Sequence, residues 1–473
     1  MRTRGRRLLR ATMVMMAVAC ANRAWADEAA RHQARDTVRV PGAGEVTIYR
    51  PDGPVREVVI FLSGDGGWNH GVVDMAQRLR AEGALVAGVD VRPLLKSMNA
   101  ASPCAYPGGV LEEIARAVQQ FAKVPAYHRP ILAGYSSGAT VVYAALAGAP
   151  AESFAGAISL GFCPDLALTG APMCRMRGVA YTRRPKGTGI DLAPYPASTV
   201  PWMVLQGDQD QVCNPPATRT FVQQTGAARL FWLEKVGHGY GVPSRWMPQF
   251  VEAYRAVTTA HAASSAPASA IAAEVSDLGL EEVPATGGPS GDQMAVILTG
   301  DGGWAEIDKA LAKGFASAGI PVVGWSSLSY YWTPRTPEAA AADLARVIDY
   351  YTRTWRKSRV LVVGYSFGAD VASYLVNRLP AETRAHVARV ALLGVSSSAA
   401  FEFHVADWLG GGSATSYPTL PEIRRLRAPV TCVYARDEAD SICRQLPADV
   451  GLAVGEGHHF SGEYARIVQA LVR

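Results

Sequence analysis

The sequence predicts an α/β fold of two tandem domains, each a mostly parallel sheet covered by helices. Three observations carry this. First, 473 residues exceed what one ordinary core organises. Second, the chain repeats itself: VVIFLSGDGGW at 58–68 returns as MAVILTGDGGW at 294–304, and ILAGYSSGAT at 131–140 returns as LVVGYSFGAD at 361–370. Third, short continuous apolar runs alternate with longer amphipathic stretches in both copies, which is the pattern of strands buried on both faces of a sheet.

Taken in order, residues 1–26 are a cleavable export signal: a basic start, a short apolar run ATMVMMAVACA, and AWA before Asp27. The run of about eleven residues is too short for the ~20 that span a bilayer. Cys20 is an alternative lipoprotein cysteine. The signal holds Arg2, Arg4, Arg6, Arg7, Arg10 and Arg23 and no acid, so removing these six charges from the formal +5 leaves the mature chain at −1. The basic balance therefore belongs to the leader, and a nucleic-acid partner is not expected. Localisation to the periplasm follows. With hydrophobic residues at 49% and charged ones at 18%, the remainder reads as globular.

The first domain spans 27–257, with strands expected at 56–63, 86–90, 130–135, 154–160, 201–206 and 228–233 and helices at 108–123 and 137–147. The Ala/Ser/Thr-rich stretch 258–274 reads as a linker. The second domain, 275–473, has expected strands at 293–299, 321–325, 359–365, 386–395, 429–435 and 449–454. Its helices are expected near 305–318, 337–354, 367–378 and 462–472. Even cysteine counts in each half favour disulfides in an exported chain. Cys432 with Cys443 is the pairing available in the second half. In the first half three connectivities are open, with Cys163–Cys174 preferred. No Cys-x-x-Cys or His-Glu-x-x-His occurs, so neither a metal nor a cofactor is expected.

Both repeats contain G-x-S-x-G between an apolar strand and a helix, the pattern of a nucleophile elbow. Each elbow is followed by an acid just past a late strand and then by a Gly-His step. Aligning the copies on their cysteines and Gly-His steps gives Ser136, Asp210 and His238 in the first half and Ser366, Asp440 and His458 in the second. Serine to acid is 74 residues in each, from 136 to 210 and from 366 to 440. The order Ser, acid, His is that of an α/β-hydrolase. Asp437 and Glu438 are rival acids in the second half and Asp208 in the first. His459 is the rival base. Oxyanion donors are expected from the amides of Phe367 and Ser137, and from the turns Gly300–Asp301–Gly302 and Gly64–Asp65–Gly66. Trp68 and Trp304 serve either substrate contact or plain packing.

These segments together, T-G-D-G-G-W, G-Y-S-F-G-A-D and D-E-A-D-S-x-C behind a signal peptide, resemble the AcvB/VirJ family of exported, virulence-associated bacterial proteins. The resemblance is strongest over 275–473, and the first half looks like a diverged duplicate with Ser137 for Phe and Thr140 for Asp. It implies a periplasmic α/β-hydrolase that hydrolyses aminoacylated phosphatidylglycerol, chiefly the lysyl ester, at the membrane surface, with an association with type IV secretion. On this reading Ser366, Asp440 and His458 are the main catalytic set and the first-half set is secondary. A lysyl ester needs an anion for its ammonium groups. Asp370, Asp301 and Glu438 are the candidates, Asp370 alternatively being a helix-dipole acid. The rival readings are a non-catalytic scaffold for secretion-machinery or secreted proteins, and a general lipase or esterase.

Overall fold

The computed structural model describes residues 36–472 except 177, 266–272, 289–290 and 404–416. The expected export signal, Cys20 and the middle of the expected linker lie outside the described residues.

Two large sheets carry the two halves. The first has strands β1 (Asp36–Val40), β2 (Gly44–Tyr49), β3 (Glu57–Leu62), β4 (Ala84–Val89), β5 (Ile131–Tyr135) and β6 (Gly156–Leu160). Residues Asp165–Leu166, Tyr181–Arg183 and Ile190–Leu192 form β7, β8 and β9 of a small antiparallel sheet, and β10 (Trp202–Gly207) and β11 (Ala228–Leu233) complete the large one. Its order is β1-β2-β4-β3-β5-β6-β10-β11, parallel except for the first two pairings.

The second sheet is built from β12 (Leu280–Val283), β13 (Gln293–Leu298), β14 (Val322–Trp325), β15 (Arg359–Tyr365) and β16 (Val387–Leu393). After a short ribbon of β17 (Ser398–Ala399) and β18 (Tyr417–Pro418) come β19 (Val430–Tyr434) and β20 (Gly451–Ala453). The order β12-β14-β13-β15-β16-β19-β20 repeats the first sheet without its outermost strand. In the large sheets the sequence reading missed the antiparallel strands β1, β2 and β12 at their margins, and it missed the strands of the two small sheets as well.

Helices cover both faces. In the first half α1 (His70–Ala81) and α6 (Met247–Ser265) pack on one side, and α2 (Val91–Asn99), α3 (Pro107–Phe121) and α4 (Ser137–Gly148) on the other, while α5 (Pro215–Gln223) lies beside the last strands. In the second half α7 (Glu306–Ser317) and α10 (Tyr464–Leu471) oppose α8 (Pro337–Trp355) and α9 (Phe367–Arg378). Central strands read as continuous hydrophobic runs because both faces are covered: Val360, Leu361, Val362 and Val363 of β15 are all fully buried. Each such side chain contributes roughly 1.5–3 kcal/mol. The start of α8 shows how local sequence sets a boundary: Pro337 fixes the first turn, and the Thr336 hydroxyl accepts the amide of Ala339 at 3.1 Å.

Two expectations are corrected. Residues 258–265 continue α6 rather than forming a coil, since a run of Ala, Thr and His extends an established helix at little cost. The first-half disulfides are Cys104–Cys174 and Cys163–Cys213, not Cys163–Cys174. Proximity in sequence misled, because the fold brings the loop after β6 to the loop after β10. Cys432–Cys443 closes in the second half.

Candidate active site

Both serines sit where a strand turns into a helix at the carboxyl end of the sheet, in a backbone conformation foreign to most side chains. Ser136 has φ 55° and ψ −124°, Ser366 φ 51° and ψ −119°. The flanking glycines explain how this fits. A Cβ on Gly138 would lie 2.3 Å from the Ser63 carbonyl oxygen, and one on Gly368 would lie 2.1 Å from that of Leu298. Each serine amide is tied to the neighbouring strand, Ser136 to the Leu160 carbonyl at 2.9 Å and Ser366 to that of Leu393 at 2.8 Å.

In the first half the three expected residues meet. His238 Nε2 lies 3.0 Å from Ser136 Oγ, and Nδ1 lies 2.9 Å from Asp210 Oδ2. Asp210 is buried, and its other oxygen accepts the amides of Val212 and Cys213 at 2.8 and 2.9 Å. Gln206 Nε2 donates to Oδ2 at 3.2 Å. Burial raises the Asp210 pKa, but the hydrogen bonds from His238, Cys213 and Val212 together outweigh it and hold the carboxyl below its usual value. An ionised acid on Nδ1 assigns the ring proton there and leaves the Nε2 lone pair facing the serine.

In the second half His458 Nε2 lies 2.9 Å from Ser366 Oγ, and the ring stands over Gly394 as His238 stands over Gly161. The acid is not brought in. Asp440 is exposed and makes no hydrogen bond among the described residues. Asp437 Oδ1 accepts the Gly457 amide at 2.8 Å, and Glu438 Oε2 accepts that of Ala435 at 3.2 Å. Glu438, not Asp440, occupies the turn position of Asp210: its amide donates to Ala435 as that of Asp210 donates to Gly207. The cysteine alignment failed because Cys213 and Cys443 bridge to non-equivalent partners. His459 points elsewhere, its Nδ1 lying 3.3 Å from the Tyr365 hydroxyl.

The amides of Phe367 and Ser137 head their helices and donate to no protein acceptor among the described residues. Gly64 and Gly300 approach the nucleophiles so closely that a Cβ would lie 3.0 Å from the Ser136 Cβ and 3.5 Å from the Ser366 Cβ. Asp65 and Asp301 are exposed on those turns. Trp304 sits in the notch above Gly324, as Trp68 does above Gly88, which gives both a packing role. Asp370 is nearly fully buried and accepts the Ser396 amide at 2.6 Å, with burial pushing its carboxyl up to about 7. It braces the loop after β16; Thr140 does the same in the first half, bonding the Cys163 carbonyl at 2.7 Å.

One set of potential metal ligands converges among the described residues, Asp210, Cys213 and His238. Its sulfur is committed to a disulfide and its other groups to each other, so the donors do not suit an ion. The sequence reading missed Tyr135 and Tyr365, whose hydroxyls bond the carbonyls of His238 and His458 at 2.8 and 3.3 Å. The repeated G-Y-S was the available signal.

Two α/β-hydrolase sheets, each presenting an elbow serine to an imidazole, define a tandem α/β-hydrolase fold. Within that class the chain belongs to the family described as bacterial virulence protein (VirJ), whose model matches residues 56–157 and 292–473. No curated protein sequence matches. Among solved structures, an α/β serine hydrolase homologue from Coxiella burnetii is similar at 18% identity and a TM-score of 0.32, over 48% of this chain and 96% of its own. Est1E from Butyrivibrio proteoclasticus is similar at 16% and 0.32, over 48% and 99%. A lidless α/β serine hydrolase from Xanthomonas campestris is similar at 21% and 0.29, over 48% and 92%.

Proposed function

We propose that the chain is a serine ester hydrolase that acts in the periplasm on the aminoacyl ester of aminoacylated phosphatidylglycerol, the lysyl ester first. The observation that carries the hydrolase reading is the hydrogen-bonded chain Ser136–His238–Asp210, echoed by Ser366–His458. In either half the serine Oγ attacks the ester carbonyl carbon while the imidazole Nε2 takes its proton. The oxyanion is held by the amide after the serine and by the glycine turn. Collapse breaks the bond to the glycerol oxygen, which receives the proton, and water then releases the amino acid by the same steps reversed.

The aminoacyl lipid is supported by the family resemblance, which covers the second half most fully, and by Glu438 on the acid loop, one of whose carboxylate oxygens is left for an ammonium group, Asp301 being paired with Arg116. Export is supported by the basic and apolar leader and by three disulfides. The test is lysine release from lysyl-phosphatidylglycerol by the parental chain, Ser366→Ala and Ser136→Ala. Loss of a nucleophile costs on the order of 10⁶ in kcat, so Ser366→Ala abolishes release and Ser136→Ala leaves most of it. The reverse pattern reassigns the substrate to the first half. Release that survives both changes removes the serine mechanism, and equal cleavage of neutral acyl esters favours a general esterase.

A further inference from the structure

The two halves touch beside the second active site. Arg116 of α3 is largely buried, and its Nη1 lies 3.2 Å from Asp301 Oδ2 while Nη2 lies 3.3 Å from Glu112. Asp301 belongs to the glycine turn beside Ser366. At the start of α7, just beyond that turn, Lys309 pairs with Glu152 of the first half.

A second contact between the halves reaches Phe367. Buried Trp332 donates its indole N–H to the Val124 carbonyl at 2.8 Å and packs at a tilt against Tyr127 with ring centres 5.1 Å apart. The preceding residue, Tyr331, packs on the ring of Phe367 at 5.1 Å. The relation is one-sided: among the described residues, the hydrogen bonds of 63–69, the corresponding turn of the first half, stay within that half.

We infer that the first half is a working part of the second site, bracing both sources of its oxyanion amides: the Gly300–Gly302 turn through Arg116 and Asp301, and Phe367 through Trp332 and Tyr331. This rests on the reading of Ser366 as a nucleophile. An ion pair with one exposed partner adds little to stability, so the effect of Arg116 falls on where the turn amides point. A small displacement of an oxyanion donor is expensive in rate. Arg116 is thus a positioning residue, not a catalytic one.

The test uses the full chain and a fluorophosphonate, whose phosphoryl oxygen occupies the oxyanion site once the serine displaces fluoride. Modification of Ser366 and Ser136 is followed on their separate peptides, so the first half serves as the internal reference. Arg116→Ala is expected to lower the limiting rate at Ser366 about tenfold. The probe concentration for half-maximal rate and the rate at Ser136 move less than about twofold, and Arg116→Lys recovers part of the loss. Asp301→Asn acts alike, and the double variant is no worse than either single one. Trp332→Ala gives a larger loss at Ser366. An unchanged Ser366 rate in Arg116→Ala, an equal fall at both serines, or additive losses in the double variant overturns the brace. A Ser366 that is unreactive in the parental chain overturns the nucleophile reading and the brace with it, whereas a reactive Ser366 indifferent to Arg116 overturns the brace alone.

Discussion

In the first half His238 is held from both sides, by Ser136 and by a buried Asp210 that receives three further hydrogen bonds. In the second half His458 reaches Ser366, and the carboxylates of the acid loop are turned to backbone amides or to solvent. The serine and the histidine are therefore placed by the fold itself, through the elbow and the ring seat above Gly161 or Gly394, whereas the acid depends on how its loop is anchored. Cys163–Cys213 ties the first acid loop across to the loop after β6, and the Cys213 amide is one of the donors to Asp210. Cys432–Cys443 closes the second acid loop back onto its own strand, 11 residues away.

The largest test of this contrast is to neutralise the acids. Asp210→Asn is expected to slow fluorophosphonate modification of Ser136 by about 10⁴, the cost of losing the tautomer-fixing carboxylate. Asp440→Asn should change the rate at Ser366 less than about threefold, since nothing among the described residues bonds to it. A loss near 10³ for Asp440→Asn would mean that the loop swings in with the reagent and that the halves work alike.

Opening the bridges comes next. Replacing Cys163 and Cys213 by Ala should cost the first domain about 4 kcal/mol, because its loop spans 50 residues, and slow Ser136 by more than about tenfold through the loosened Asp210. Replacing Cys432 and Cys443 should cost about 3 kcal/mol with little effect on Ser366. Denaturant melts read with the peptide-resolved rates check both. Comparable losses of reactivity in the two halves would remove the claim that only the first bridge holds an acid.

The smallest effect compares the loop braces Asp370 and Thr140. The Asp370 carboxyl stands at about 7 in the folded chain against 3.8 unexposed to burial, so the folded state keeps a proton that the unfolded state releases. Stability from this group is full below about pH 4, falls as pH rises to about 7, and is level above that. Asp370→Asn keeps an acceptor for the Ser396 amide and does not titrate. Its melting temperature should match the parent near pH 4 and exceed it by several degrees near pH 7.5. Thr140→Val should instead lose about 1 kcal/mol at every pH. A pH-independent gap for Asp370→Asn would contradict the buried carboxyl.

What was legible in the sequence follows the same division. The central strands, the elbows and both histidines were readable because each depends on a local pattern: continuous apolar runs, a glycine on either side of serine, and a Gly-His step repeated in both halves. The edge strands β1, β2 and β12 were not, since a half-exposed antiparallel strand such as DTVRV carries a weaker signature. Asp440 was paired with Asp210 through cysteines that look equivalent along the chain and bridge to different places in space. The buried role of Asp370 was hidden for a related reason. A first-turn acid reads the same whether it faces a ligand or the amide of Ser396.

The backbone of the two serines carries a consequence for how such a duplicated chain ages. A non-glycine residue held at positive φ costs of order 1–3 kcal/mol, and Ser136 and Ser366 each bear it at φ 55° and 51°. Exchange of either for glycine relieves that strain and extinguishes the hydroxyl in one step. Decay of a redundant copy would therefore be opposed only by the roughly 0.5–1 kcal/mol of extra unfolded-chain entropy that glycine carries. Folding stability thus gives either serine little protection, and its place in that cramped corner would depend on work performed at its hydroxyl.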